Sequence, residues 1–124
     1  MEIKRFAYGE LRFMDIIWSN EPVPSGKLAE LCQERLGWKR STTYTRLKLL
    51  INQGYLKNEN SIVTALVSRE QVQAAESRSV VEQSFAGSLP GFLVAFLDSN
   101  PISDREAEEL KALIDAHRQG KRGV

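Results

Sequence analysis

A change of hydrophobic period, made once and then reversed, constrains this chain more than any other feature. From Tyr8 to Gln53 apolar residues recur every three or four positions, as they do on helices that bury one face. From Tyr55 to Val67 they gather into two short runs, the second rich in β-branched residues, and after Ser68 the helical spacing returns. Three helices, a β-hairpin and three more helices are predicted, which is a mostly α chain with a small β-hairpin (α+β).

The punctuation agrees with this order. The first helix is predicted from Tyr8 to Ser19, with Leu11, Met14, Ile17 and Trp18 on its apolar face and Phe13 and Ile16 widening it. Asn20-Glu21-Pro22-Val23-Pro24 ends it, because each proline disfavours helix in the residue before it. Ser25 reads as the N-cap of a second helix that buries Leu28, Leu31, Cys32 and Leu36 and stops at Gly37. Beyond the link Trp38-Lys39-Arg40, a third helix runs from Ser41 or Thr42 to Gln53, turning Thr43, Leu47, Leu50 and Ile51 inward. Tyr55 to Lys57 and Ile62 to Val67 read as strands around a polar turn, Asn58 to Ser61. Ser68 to Gln71 and Ser103 to Glu106 have capping-box spacing. The first opens a helix ending near Phe85. The second opens a helix that buries Leu110, Leu113 and Ile114 and frays from Arg118 through Gly123. Between them Leu89 to Asp98 forms a short, strongly apolar helix. Residues 1–67 are expected to form one domain and residues 68–124 a second, helical region.

Charge is divided along the same line. The chain of 124 residues carries only +1. Through Lys57, however, ten basic residues against six acids leave +4, and the remainder carries −3. No Asp or Glu occurs between Glu34 and Glu59, a window that holds six Lys or Arg. A neutral chain split this way reads as a basic module joined to an acidic one.

Three helices followed by a hairpin is the element order of a winged helix-turn-helix, whose third helix enters the major groove of duplex DNA. The acid-free window falls on that third helix, where a carboxylate would be repelled by phosphate. Its outer face carries Thr42, Tyr44, Thr45 and Lys48, which can hydrogen-bond to phosphates or base edges, and the two threonine methyl groups can pack on a thymine methyl. Arg46 lies at the margin, and Arg40 and Ser41 begin the helix where its dipole favours an anion. The turn between the strands holds no Lys or Arg, so a wing of this kind adds little phosphate contact.

The run Gly37-Trp38-Lys39-Arg40-Ser41-Thr42-Thr43-Tyr44-Thr45-Arg46-Leu47, with Gly54-Tyr55-Leu56, resembles the recognition-helix block of the penicillinase and methicillin-resistance repressors (BlaI/MecI type). Leu11 to Trp18, Leu66-Val67-Ser68, Phe85 to Leu89, Phe92 to Phe96 and Glu108-Glu109-Leu110 resemble further parts of that family, so the likeness covers about residues 8 to 117. It implies a homodimeric repressor that binds a dyad operator, with the C-terminal helices dimerising. The apolar residues there are Phe85, Leu89, Phe92, Leu93, Phe96, Leu97, Leu110 and Leu113. Three short helices bury such stripes poorly by themselves and need a partner surface, the alternative being that they fold back on the winged helix. The resemblance also implies a membrane sensor protease that triggers cleavage of an Asn-Phe bond. The aligned positions are Ala95 and Phe96, so the aromatic is kept and the asparagine is not.

Other classes find little support. One cysteine, Cys32, makes neither an intramolecular disulfide nor a thiolate metal site, and a buried core role suits it. The apolar run Phe92 to Leu97 is too short to span a bilayer, and no signal peptide is read at the N-terminus. A cytoplasmic protein without cofactor or metal is expected. His117 is the only histidine, and no phosphate loop or nucleophile–base pair is present, so an enzyme is not expected. Two alternatives stay open: a winged-helix protein-interaction module that does not touch DNA, and a DNA-binding regulator that responds to a small ligand.

Overall fold

Phe13, Met14 and Ile17 on the first helix are fully buried, and the N-terminal half of the chain is assembled around them. The computed structural model describes residues 3–122, with side chains through Arg118. Its elements are α1 (Tyr8–Asn20), β1 (Val23–Pro24), α2 (Ser25–Leu36), α3 (Arg40–Asn52), β2 (Leu56–Glu59), β3 (Ile62–Ala65), α4 (Arg69–Ser84), α5 (Leu89–Ser99) and α6 (Asp104–Arg122). The class is the mostly α, α+β arrangement that the two changes of period predict.

The helices of the first half bury the residues expected of them. Leu28, Leu31 and Cys32 of α2 and Thr43, Leu47 and Leu50 of α3 enter the core beside Leu56 and Val63 of the hairpin, while Leu36 and Ile51 are half-buried at its edge. Trp18 of α1 donates its indole N–H to the Val67 carbonyl at 2.9 Å, which ties the exit of the hairpin to the first helix. Arg69, at the start of α4, lies over the Trp18 ring and pairs with Asp15 at 3.2 Å. Ser68 and Gln71 form the predicted capping box, each side chain accepting from the other's backbone N–H at 3.1 and 2.8 Å. At the second box, Ser103 accepts from the Glu106 N–H at 3.1 Å.

Four local expectations are corrected. Ser25 is not a cap but the first residue of α2. It is buried, and its N–H donates to the Ser61 carbonyl at 2.8 Å, so the hairpin turn supplies the acceptor. Val23 and Pro24, read as a plain break, form a two-residue edge strand against β3, with Val23 opposite Val63. Proline is tolerated there because an edge strand leaves N–H groups unpaired on one side. Asn58 and Glu59 belong to β2, and the turn is only Asn60-Ser61, both at positive φ (53° and 65°), the conformation of a two-residue type I′ hairpin. Finally, α6 continues to Arg122 instead of fraying from Arg118, and Gly123 lies outside the described residues.

Gly37 carries a specific backbone duty. It ends α2 in the left-handed region at φ 69°, and its N–H bonds back to the Gln33 carbonyl at 3.2 Å. A Cβ there meets nothing within 4 Å, so any cost of a side chain is conformational. Gly37→Ala is expected to lose about 1 kcal/mol, lowering the thermal midpoint by about 4–8 °C in a calorimetric scan. An unchanged midpoint would contradict that.

The chain divides into two units, one up to Val80 and the other from Val81 onward, so α4 contributes to both. In the first unit, Val72 is buried and Glu76 accepts from Arg5 at 3.0 Å, which anchors the early turns of α4. In the second, Phe85 meets Phe92 edge-to-face with centroids 5.4 Å apart.

Candidate nucleic-acid interface

Because Thr43, Leu47 and Leu50 anchor α3 to the core, the opposite side of the helix is fixed as its outer face. Ser41, Tyr44, Thr45 and Lys48 are all exposed there, Arg46 is exposed at the margin, and Thr42 is half-buried. The site residues expected on α3 are thus brought together on one helix. None of Arg40, Arg46 and Lys48 forms an ion pair with a described carboxylate, although other cations do, including Lys27, Lys57 and Arg69.

The start of α3 is organised in more detail than its sequence indicates. Arg40 already belongs to the helix, and its guanidinium carbon lies 5.8 Å from the Tyr44 ring centroid. The same side chain reaches the first turn of α2, where a Cβ added to Gly26 would sit 3.4 Å from Arg40 Nη2. Arg40 and Tyr44 therefore act as a stacked pair beside the start of α2. No side chain caps α3, which leaves its first backbone N–H groups available to an anion. Thr45 differs from expectation in one respect: its hydroxyl donates to the Ser41 carbonyl at 2.9 Å. With that proton committed, Thr45 offers an acceptor and a methyl group, not a donor, to a ligand.

The hairpin is a poor source of positive charge. Its turn has no cation, and Lys57 on β2 sits 3.4 Å from Glu59 on the same strand. The bond from Ser25 to Ser61 holds the turn beside the start of α2.

The second unit exposes a large apolar surface. Leu113 is 65% exposed, Leu89 56%, Phe96 47%, Leu97 40% and Leu110 37%. The expectation that α6 buries Leu110, Leu113 and Ile114 does not hold within one chain, since Ile114 is exposed as well. Val94 of α5, which the sequence pattern does not single out, joins them at 62%. Phe85, Phe92 and Leu93 are half-buried within their own unit. Ala95 and Phe96 are both exposed in the middle of α5.

Cys32 is buried, and burial pushes its thiol up, with the Thr43 hydroxyl and the Arg35 charge acting in the opposite sense. A protonated thiol in the core packs as a small apolar group. Among the described residues no three His, Cys, Asp or Glu side chains are grouped to hold a metal ion, and no single helix is long and apolar enough to cross a membrane.

The family model described as penicillinase repressor matches residues 7–116, which takes in both units. The chain belongs to the penicillinase repressor family. This is a family of transcriptional repressors and not of enzymes. Among its relatives, the penicillinase repressor of Bacillus licheniformis is 22% identical over 125 positions, covering 98% of each chain. An uncharacterised 16.5 kDa protein encoded in the ptsI 3′ region of Latilactobacillus sakei is 28% identical over 111 positions, covering 86% of this chain and 76% of its own. For a penicillinase repressor family member, the exposed cations of α3 and the exposed apolar faces of α5 and α6 are the two surfaces in need of partners.

Proposed function

We propose that this chain acts in the cytoplasm as a homodimeric repressor, each copy laying α3 in the major groove of one half of a dyad operator. The observation that carries this role is the outer face of α3, where Arg46 and Lys48 stand exposed on either side of Thr45 without a described carboxylate partner. Phosphate is the ligand such a face suits, because each neutralised phosphate releases a condensed counterion. Arg40, stacked on Tyr44 at the helix start, and Lys48 would contact the backbone, and Ser41, Thr42 and Thr45 would approach base edges. The hairpin contributes position more than charge.

Dimerisation would use Leu89, Phe96, Leu97, Leu110 and Leu113, with Phe85, Phe92 and Leu93 packed beneath them. Residues 1–67 would form the DNA-binding domain and residues 68–124 the dimerisation region. Cleavage by a membrane sensor protease is the part of the family likeness this chain supports least, since Ala95 stands where the asparagine of the scissile bond would be.

Salt dependence tests the role directly. Arg46→Ala and Lys48→Ala are each expected to weaken duplex binding and to reduce the slope of log affinity against log salt by about 0.9. Fluorescence anisotropy titrations across a range of salt concentrations measure both. Affinity and slope unchanged in both variants would overturn the assignment and favour a protein-interaction module.

A further inference from the structure

We propose that α3 reads thymine methyl groups through a stripe made by Thr42, Thr45 and Leu49, a proposal that rests on the DNA-reading role of α3. Leu49 is 41% exposed on a helix where the other exposed side chains each carry a polar or charged group, and it is absent from the core cluster. Its inward neighbour Leu50 already fills the core position on that turn. Leu49 is therefore available for an apolar contact from outside the chain.

The helical repeat supplies the arrangement. At about 100° per residue, Thr42, Thr45 and Leu49 fall within about 60° of one another, and Ser41, Tyr44 and Lys48 occupy the other flank of the outer face. The outer face is thus divided lengthwise into a methyl-bearing flank and a polar one. From Thr42 to Leu49 the helix rises about 10.5 Å, which matches about three base steps of 3.4 Å.

Chemistry then selects the base. Thymine alone among the four bases displays a methyl group in the major groove. The Thr45 hydroxyl proton is held by the Ser41 carbonyl at 2.9 Å and is withdrawn from any base acceptor. A leucine has no hydrogen bond to offer. Covering an amino or carbonyl edge with it strands a polar group, and covering a methyl gains apolar contact. Arg46, exposed at the margin of the same flank, supplies the charge that holds a phosphate beside the stripe.

The test uses the full chain and a duplex selected from a random-sequence pool. Each thymine of the selected half-site is replaced singly by deoxyuridine, which removes only the methyl. Two or three positions per half-site are expected to weaken binding about three- to five-fold each. Leu49→Ala is expected to bind the thymine and deoxyuridine forms of one of these sites equally, and Leu49→Met, which keeps an apolar tip, to retain the difference. Deoxyuridine without effect at every position overturns the stripe while leaving DNA reading intact, and so does a Leu49→Ala variant that still discriminates at all of them. Failure to select any duplex removes the DNA-reading role itself, and the stripe with it.

Discussion

Leu113→Glu is expected to turn the protein into a monomer and to lower its affinity for a dyad operator by about 100-fold or more. Leu113 is the most exposed leucine of α6, so one chain alone accommodates glutamate there without strain. A two-fold interface does not, because the same patch comes from both copies and two carboxylates would be desolvated together. Loss of the second half-site removes the effective concentration that links the two binding events, which is worth roughly 10²–10⁴ in apparent affinity. Sedimentation velocity reads the mass, and a gel shift on dyad and single half-site duplexes reads the affinity. The single half-site should be bound alike by both proteins. A variant that still sediments as a dimer would place the interface elsewhere.

Much of the fold is legible in the sequence because most of its elements carry their own period. Leu11, Met14, Ile17 and Trp18 mark α1, and Leu28, Leu31 and Cys32 mark α2, without reference to anything distant. β1 is different. Two residues have no period, and Val23 becomes a strand only because β3 offers it an unpaired edge. Ser25 differs for a related reason: Pro24 takes the cap position, and the first N–H of the helix, that of Ser25, finds its acceptor in Ser61, 36 positions along the chain. The hairpin turn is two residues tighter than its polar run indicates, because Asn58 and Glu59, which have low strand propensity, are held in a ladder by Val63 and Ile62.

The candidate site was legible in its residue types but not in its bonds. That Arg40, Tyr44, Thr45, Arg46 and Lys48 face outward follows from the burial of Thr43, Leu47 and Leu50. The stacking of Arg40 on Tyr44, and the Thr45 hydroxyl turned back on Ser41, depend on rotamers that no spacing rule gives. Leu49 is the most instructive case. The helical repeat leaves it off the inward face of Thr43, Leu47, Leu50 and Ile51, and its exposure of 41% shows that nothing else among the described residues covers it. On α6, Leu110, Leu113 and Ile114 have the spacing of a buried face and are exposed within one chain. An apolar stripe says that a face seeks cover, but not whether the cover comes from the same chain.

The other large effect is expected at Phe13, where fold and site meet. Phe13 is fully buried, and its ring lies 5.3 Å from that of Trp38, in the link between α2 and α3. Phe13→Ala is expected to cost about 3–5 kcal/mol, from lost apolar burial and from a cavity that α1 cannot close by itself. For a unit of this size the thermal midpoint should fall by at least about 12 °C. Phe13→Leu refills most of the space and should cost far less. The two variants also separate support from contact. Trp38 is held by Phe13 on one side and leads directly into α3 on the other, so a cavity beneath it loosens the start of the reading helix. Below its midpoint, Phe13→Ala should therefore bind duplex more weakly than Phe13→Leu, with the salt slope of the parent protein, because no phosphate contact has been removed. A midpoint within a few degrees of the parent would mean that the core closes over the missing ring, and would deny Phe13 its part in placing α3.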